Sequence, residues 1–296
     1  MFADTDRLHI AIQKNGRLAD YSRDLLRDAG MRVVKGVNDL AARVENFPLD
    51  LLFVRDDDIP TFVADGVCDF GIVGGNVLEE FALGTPRAQF EIVSRLGFGR
   101  CTLKIAGKDN AAYTSPASLS GKRIATSYPR IVVRFLAEAG VEASIVTMNG
   151  AVELAPRLGI ADFICDIVST GATLDANGLI AFDMVYESEA VLVRAQRPVD
   201  STKAAAAEQM LGRIEGVLAT KEAKYIMLNA GSENLPAITA LLPGAGAPTV
   251  LPLHGRPGQF AVHAVCQESV FWETLQKLKA AGASAILVVP IEKMMM

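Results

Sequence analysis

Short apolar runs alternate with stretches of helical period along the first two-thirds of the chain. Leu8–Ile12 reads as a strand, followed by the turn Lys14-Asn15-Gly16-Arg17 and a helix to about Asp28, stopped by Gly30. Leu51–Val54 is a second strand running into Asp56-Asp57-Asp58, where Asp58 before Ile59-Pro60 has the pattern of an N-cap with Pro in the first turn. Asp69–Val73 is a third strand, and Gly74-Gly75-Asn76 leads into a helix ending near Gly84. The same rhythm returns with a strand at Arg123–Thr126, a turn at Ser127-Tyr128-Pro129 and a helix over Ile131–Glu138. Further strands are expected at Ser144–Thr147, Asp162–Val168 and Glu187–Arg194. Asn149 is placed to cap a helix at Val152–Leu158, Ser169–Leu174 turns into a short helix, and a long Ala-rich helix covers about Ser201–Lys221. Strand–helix alternation of this kind predicts α/β units with a largely parallel sheet.

The last 70 or so residues change rhythm. Strand, helix, two strands joined by the Gly255–Gly258 turn, helix and strand follow one another from Lys224 to Pro290. The order β-α-β-β-α-β predicts a ferredoxin-like unit. Within its second helix, Trp272 is expected in the core with Phe271 and Leu275.

Composition narrows the function classes. The 296 residues are 50% hydrophobic and 21% charged, with a formal net charge of −5. That suits a soluble globular protein and disfavours a dedicated nucleic-acid binder, which is usually basic. Met1–Arg7 has no basic cluster and the apolar run after it is short, so no secretory leader is expected. No run reaches the ~18–20 residues that span a bilayer, and a cytoplasmic protein without a membrane partner is the expectation. Cys68, Cys101, Cys165 and Cys266 are isolated, as in a reduced protein with buried thiols. His9, His254 and His263 lack metal-ligand spacing, so no zinc site is expected.

The segment 162–174, Asp-Phe-Ile-Cys-Asp-Ile-Val-Ser-Thr-Gly-Ala-Thr-Leu, is the most informative. A buried strand ends at hydroxyl residues and a glycine, and a helix begins. Backbone N–H groups and hydroxyls then converge on one point, which suits a phosphate. Gly171 permits close backbone approach, and Asp166 is placed to accept hydrogen bonds from sugar hydroxyls. An ordinary strand–turn–helix capped by Ser and Thr has the same pattern, so these residues alone leave both readings open.

A resemblance adds to this. Glu153, then Gly159-Ile160-Ala161, Ile164, Asp166-Ile167 and Thr170-Gly171-Ala172-Thr173-Leu174 resemble the signature of the ATP phosphoribosyltransferase family. So do Gln13-Lys14-Asn15-Gly16-Arg17-Leu18, Arg55-Asp56-Asp57-Asp58-Ile59-Pro60, Asp69-Phe70-Gly71-Ile72-Val73-Gly74, Ile124-Ala125-Thr126-Ser127-Tyr128-Pro129 and Ile291-Glu292-Lys293-Met294. The likeness runs through essentially the whole chain, in order, and the C-terminal unit marks the family's long form.

The resemblance implies a two-lobed catalytic core like the type II periplasmic binding proteins. Lobe I would be residues 1–100 and 185–222, lobe II with the phosphate loop 101–184, and a regulatory domain 224–296. It implies transfer of the phosphoribosyl group from phosphoribosyl pyrophosphate to N1 of ATP, with Mg2+ carried by the substrate phosphates. Ser169, Thr170, Gly171, Ala172, Thr173 and Leu174 would hold the 5′-phosphate, and Asp166 and Glu153 the ribose hydroxyls. A carboxylate at a helix start explains Glu153 equally well. Lys14, Gly16 and Arg17 would meet ATP or pyrophosphate, and Lys14, Arg17 and Asp166 would carry catalysis. Asp69 and Gly71 would line the opposite wall near the nucleotide, although a strand-start carboxylate accounts for Asp69 too. Asp57 and Asp58 read as a solvated acidic turn. Histidine would inhibit by binding near Ala245, Thr249, Val265, Ala283 and Ala285, where tight strand packing is the alternative. The family assembles as dimers and hexamers. A solute-binding protein and an effector-sensing transcription factor of the same lobe pair are the competing classes. The first would require an export leader and the second a helix-turn-helix unit.

Overall fold

The computed structural model describes residues 6–35, 40–109, 111–168, 171–197, 200–221, 223–242 and 247–294. It divides into two compact units, Met1–Arg27 with Met31–Ala207 and Asp28–Gly30 with Glu208–Met296. Among the described residues no helix is long and apolar enough to cross a membrane.

The first unit opens with β1 (Leu8–Gln13), whose residues are buried on both faces as in the centre of a parallel sheet. Helix α1 (Arg17–Asp28) buries Ala19, Ser22, Leu25 and Leu26, positions at helical spacing. β2 (Val33–Lys35) and β3 (Ala41–Val44) form an antiparallel edge pair that the apolar pattern did not predict, because three- and four-residue strands leave little periodicity. β4 (Leu49–Val54), a 3-10 turn at Asp56–Asp58, α2 (Ile59–Ala64), β5 (Phe70–Gly74), α3 (Gly75–Gly84) and β6 (Phe90–Arg95) follow. Asp58 does stand at the N-cap of α2, but its side chain makes no cap bond there, since the preceding turn already holds it in helical φ/ψ.

The chain then crosses to a second sheet with β7 (Cys101–Lys108), β8 (Arg123–Thr126), α4 (Pro129–Glu138), β9 (Ser144–Thr147), β10 (Phe163–Val168), α5 (Ala172–Ala176) and β11 (Leu179–Ser188). The helix expected at Val152–Leu158 is only a 3-10 turn, Val152–Leu154. Ala151, at φ 51°, occupies its N-cap in place of Asn149. After Glu189 the chain returns to the first sheet as β12 (Ala190–Ala195), and α6 (Ser201–Leu218) follows.

The strand orders are β2-β3-β4-β1-β5-β12-β6 and β11-β7-β10-β8-β9. In each sheet a central strand (β1, β8) lies between two parallel partners, a second strand (β4, β9) and a third (β5, β10). Beyond the third lies a strand that arrives from the other sheet. Those central pairs are parallel, whereas the crossing strands β12 and β7 run antiparallel to their neighbours. This is the two-lobed, periplasmic-binding-protein-like arrangement, with sheets that are mixed at their edges rather than largely parallel.

The second unit contains β13 (Ala223–Gly231), α7 (Leu235–Leu241), β14 (Thr249–Pro252), β15 (Gln259–Gln267), α8 (Glu268–Ala280) and β16 (Ser284–Pro290). The order β14-β15-β13-β16 is ferredoxin-like. Ile226, Leu228, Val262 and Ala264 alternate onto the face where Ile238 and Leu278 pack. Trp272 is 70% exposed, against expectation. Six residues separate it from the fully buried Leu278, and at 100° per residue that turns it onto the outer face of α8.

Candidate active site

Parallel sheets present their strand carboxyl ends and the following loops as binding walls. In the first lobe, Lys14 leaves β1 at that edge, and its amide donates to the Val54 carbonyl at the end of β4 at 2.9 Å. Lys14 is half-buried, while Gly16, at φ 95°, and Arg17 are exposed. The Arg23 guanidinium donates to the Lys14 carbonyl at 2.7 Å, which fixes the turn to α1.

Two residues past Val54, Asp56 begins the 3-10 turn. Its neighbours Asp57 and Asp58 are exposed, as expected of a solvated turn. Asp56 is not. Its Oδ1 is buried without a hydrogen-bond partner, and burial, then the adjacent Asp57 charge, push its carboxyl up to about 6.

In the second lobe, β10 delivers Asp166, which shares a strand face with buried Ile164. Asp166 Oδ1 accepts the Ile167 amide at 2.7 Å. Burial first, and the Glu153 charge after the opposing Ile167 bond, raise its carboxyl. Asp166 and Glu153 therefore stand close enough to interact. Gly171 adopts φ 79° and ψ −15° at the N-cap of α5, with open space where a Cβ would stand. The first-turn amides of a helix, here Ala172 and Thr173, have no acceptor within it, and Leu174 anchors that helix in the core. Ser169 and Thr170 lie outside the described residues. Cys165 is fully buried, and burial followed by the Asp166 charge pushes its thiol up, so it is an inert core thiol.

Contacts within this unit bring the two edges together. Asn76, 4% exposed at the start of α3, donates from Nδ2 to the Tyr128 hydroxyl at 2.9 Å and accepts from Ser188 Oγ at 2.9 Å. The Tyr128 phenol, from the turn before α4, is raised by burial first and then by the charge of Asp56. Asp166 adds to the shift, so the ring lies in reach of a carboxylate from each lobe. Beside it, Glu80 accepts the Arg130 amide at 3.0 Å and the Ile131 amide at 3.0 Å. An α3 carboxylate thus caps the amino end of α4. Asn76, Ser188 and Glu80 escaped the sequence reading, because their roles depend on contacts across the lobes.

Residues 55–216 match the family described as ATP phosphoribosyltransferase, and residues 220–293 match "HisG, C-terminal domain". An ATP phosphoribosyltransferase of Maricaulis maris is 54% identical over 292 residues, covering 98% of this chain and 99% of that one. The chain belongs to the ATP phosphoribosyltransferase family. An ATP phosphoribosyltransferase (HisG:HisZ) complex from Thermotoga maritima has a similar structure. It is 26% identical, with a TM-score of 0.59 over 70% of this chain and 98% of that one. The protein is accordingly a transferase of the first step of histidine biosynthesis, in the long form that carries the C-terminal domain.

The phosphoribosyltransferase fold does not gather every expected residue. Asp69 stands at the opposite strand ends of the first sheet from Lys14, and Gly71 lies mid-strand, paired with Ala11. Asp69 Oδ2 accepts the His9 amide at 2.8 Å, near the amino end of β1, and the Lys203 ammonium lies 3.0 Å away. From His9 to Lys14 a strand advances about 3.3 Å per residue, roughly 16 Å in all. Asp69 instead lines a separate cavity of about 340 Å³ with Arg194, Arg197 and Lys203. Gly71 is buried, and a Cβ there would stand 2.7 Å from Ile59 Cγ2. Close packing of β5 on α2 accounts for the glycine.

Of the effector residues, Ala245 lies outside the described residues. Thr249 pairs with His263, and Val265 lies two residues further along β15, so both share the sheet face away from the helices. Ala283 packs into the core under the helices. Ala285 is exposed at φ 49°, between the register points Asn229–Ser284 and Met227–Leu287.

Proposed function

We propose that this chain transfers the phosphoribosyl group of phosphoribosyl pyrophosphate to N1 of ATP, releasing pyrophosphate and giving phosphoribosyl-ATP. The observation that carries the reading is the meeting of the two carboxyl-end walls at Tyr128. One wall carries Lys14 and the other carries Asp166, Glu153 and the Gly171 turn.

The substrates bring both the nucleophile and the leaving group, so the protein's task is orientation and charge compensation. Amides of the Gly171–Leu174 turn hold the 5′-phosphate. Asp166, with Glu153 beside it, accepts the ribose hydroxyls, and Lys14 and Arg17 meet the polyphosphate and oppose the charge that grows on departing pyrophosphate. Magnesium enters on the substrate phosphates, whose oxygens suit a hard cation, and this chain's residues are given no part in binding it. The enzyme works in the cytoplasm as a homo-oligomer, in dimers and hexamers, and histidine inhibits it through the C-terminal unit.

Mixing the full chain with ATP, magnesium and phosphoribosyl pyrophosphate tests the reading. Pyrophosphate should appear only with all three present, matched mole for mole by a product with the mass of phosphoribosyl-ATP. Hydrolysis of either substrate alone, or no release, would overturn it.

A further inference from the structure

Asp56 has an environment that the transfer reaction as described does not use. Among the described residues its Oδ1 is a side-chain oxygen sealed from solvent with no hydrogen-bond partner. A buried acceptor left unmet costs stability, and such a group in a native cleft calls for a partner. No side chain around it donates to that oxygen, although the Tyr128 hydroxyl and the Cys101 thiol are donor types. Asp57 is a like charge on the same turn, and the Tyr128 hydroxyl and the Cys101 thiol face it from the second lobe. The charged residues of α3, Glu79 and Glu80, are engaged with Arg134 and Arg130. A donor that arrives with a substrate would meet that oxygen.

The chemistry of the substrates selects that donor. Their phosphates repel a carboxylate. Among their neutral parts, hydrogen-bond donors are the ribose hydroxyls and the exocyclic amine of adenine. On the reading above, the phosphoribosyl hydroxyls belong to Asp166 and Glu153 in the second lobe. Asp56 belongs to the first lobe, two residues past the strand end that holds the Lys14 turn, which is the ATP wall.

We propose that Asp56 accepts a hydrogen bond from the 6-amino group of adenine and receives its proton during transfer. This rests on the phosphoribosyl-transfer reading. The N1 lone pair forms the bond to C1 of the ribose as the C1–O bond breaks, and that electron pair leaves on pyrophosphate. The alkylated ring is then a cation. Loss of one 6-amino proton to the Asp56 carboxylate leaves a neutral imine, and the proton passes to water when the cleft opens. Before transfer, the same bond raises electron density at N1. The raised carboxyl, about 6, keeps Asp56 largely ionised at neutral pH yet basic enough to hold that proton.

The test compares dissociation constants of ATP and of purine riboside triphosphate, which lacks only the 6-amino group, on the full chain between pH 5.0 and 7.5. The shared triphosphate titrates alike in both, so their ratio isolates the amine. The preference for ATP should be about tenfold or more at pH 7.5. It should fall several-fold towards pH 5.0 with a midpoint near 6. In Asp56→Asn the preference should be smaller and independent of pH. A wild-type ratio that is flat with pH, or no preference for ATP, overturns the proposal without needing any variant. If pyrophosphate release from ATP and phosphoribosyl pyrophosphate succeeds while the ratio is flat, Asp56 alone is misassigned. If the chain neither binds ATP nor releases pyrophosphate, the transfer reading itself falls.

Discussion

Asn76 donates to the Tyr128 hydroxyl at 2.9 Å, joining the first residues of α3 to the turn before α4. Tyr128 packs against the cores of both lobes, so one phenol serves as a shared post. Tyr128→Phe keeps that packing and removes the acceptor for Asn76. The expected loss is about 0.5–1.5 kcal/mol of unfolding free energy, read by urea denaturation. A larger fall in pyrophosphate release than in stability would place the hydroxyl's main use in setting the two walls.

Gly171 gives a sharper test of the phosphate turn than its open surroundings suggest. Its φ of 79° is left-handed, where most L-residues lose about 1–2 kcal/mol. Gly171→Val would mix that strain with steric exclusion. Asn tolerates the left-handed region, so Gly171→Asn should fold with near-normal stability while its side chain enters the space open at the Cβ. Phosphoribosyl pyrophosphate affinity should fall about tenfold or more, measured by calorimetry, as expected for at least 1.4 kcal/mol of lost binding. Unchanged affinity in the folded variant would remove this turn from the phosphate site.

Much of the architecture was legible in the chain. Buried central strands are continuous apolar runs, and Leu8–Ile12 and Leu51–Val54 announced β1 and β4. The β-α-β-β-α-β order of the last unit could be read from its turns. What could not be read depended on partners remote in sequence. Trp272 and Leu275 share a helix with Leu278, and only the packing of α8 decides which side is core. Asp56, Asp57 and Asp58 are identical in type and adjacent, yet one is half-buried with a sealed Oδ1 and two are exposed. Asp69 precedes an apolar strand just as a site residue might, but strand direction puts it at the edge away from Lys14. Local pattern carries burial periodicity and strand direction; it carries no information on which of several adjacent carboxylates a remote partner will bury.

Asp56 also makes stability depend on pH. Its folded carboxyl titrates at about 6, above the ordinary carboxylate value near 3.8. Between those values the folded protein holds a proton that the unfolded chain has released, so unfolding free energy falls as pH rises through this window and is level above it. Asp56→Asn removes the buried charge. At pH 7.5 it should stabilise the protein by about 1–3 kcal/mol, the linkage value of a two-unit shift discounted for relaxation. At pH 4 it should change stability little. Chemical denaturation at both pH values checks this. Equal effects at the two would mean that Asp56 ionises in the native state as easily as in the unfolded one.

The effector reading rests on one face of the second unit. Ile226, Leu228, Val262 and Ala264 point to the helices, which leaves Tyr225, His263, Val265 and Thr249 on the other face of the sheet. The Tyr225 hydroxyl lies 2.8 Å from His263 Nδ1, a polar pair beside half-buried Val265. A zwitterionic amino acid with an imidazole ring can lay the ring on that surface and meet polar groups at its edge. Ala283, packed under the helices, is not available to it, and Ala285 at φ 49° already holds a side chain in the left-handed region, so a substitution there would not report on the effector alone. Thr249 is exposed at the start of β14 and has room for a change of size. Thr249→Trp should therefore fold, release pyrophosphate within about twofold of the wild-type rate without histidine, and lose at least tenfold in histidine sensitivity, a coupling of about 1.4 kcal/mol or more. Inhibition at a distance also requires reciprocity: substrates that oppose the inhibited state must weaken histidine binding by the factor through which histidine weakens theirs. Calorimetric titration of histidine with and without ATP reads that factor. Full histidine inhibition in folded Thr249→Trp would move the effector away from this sheet face.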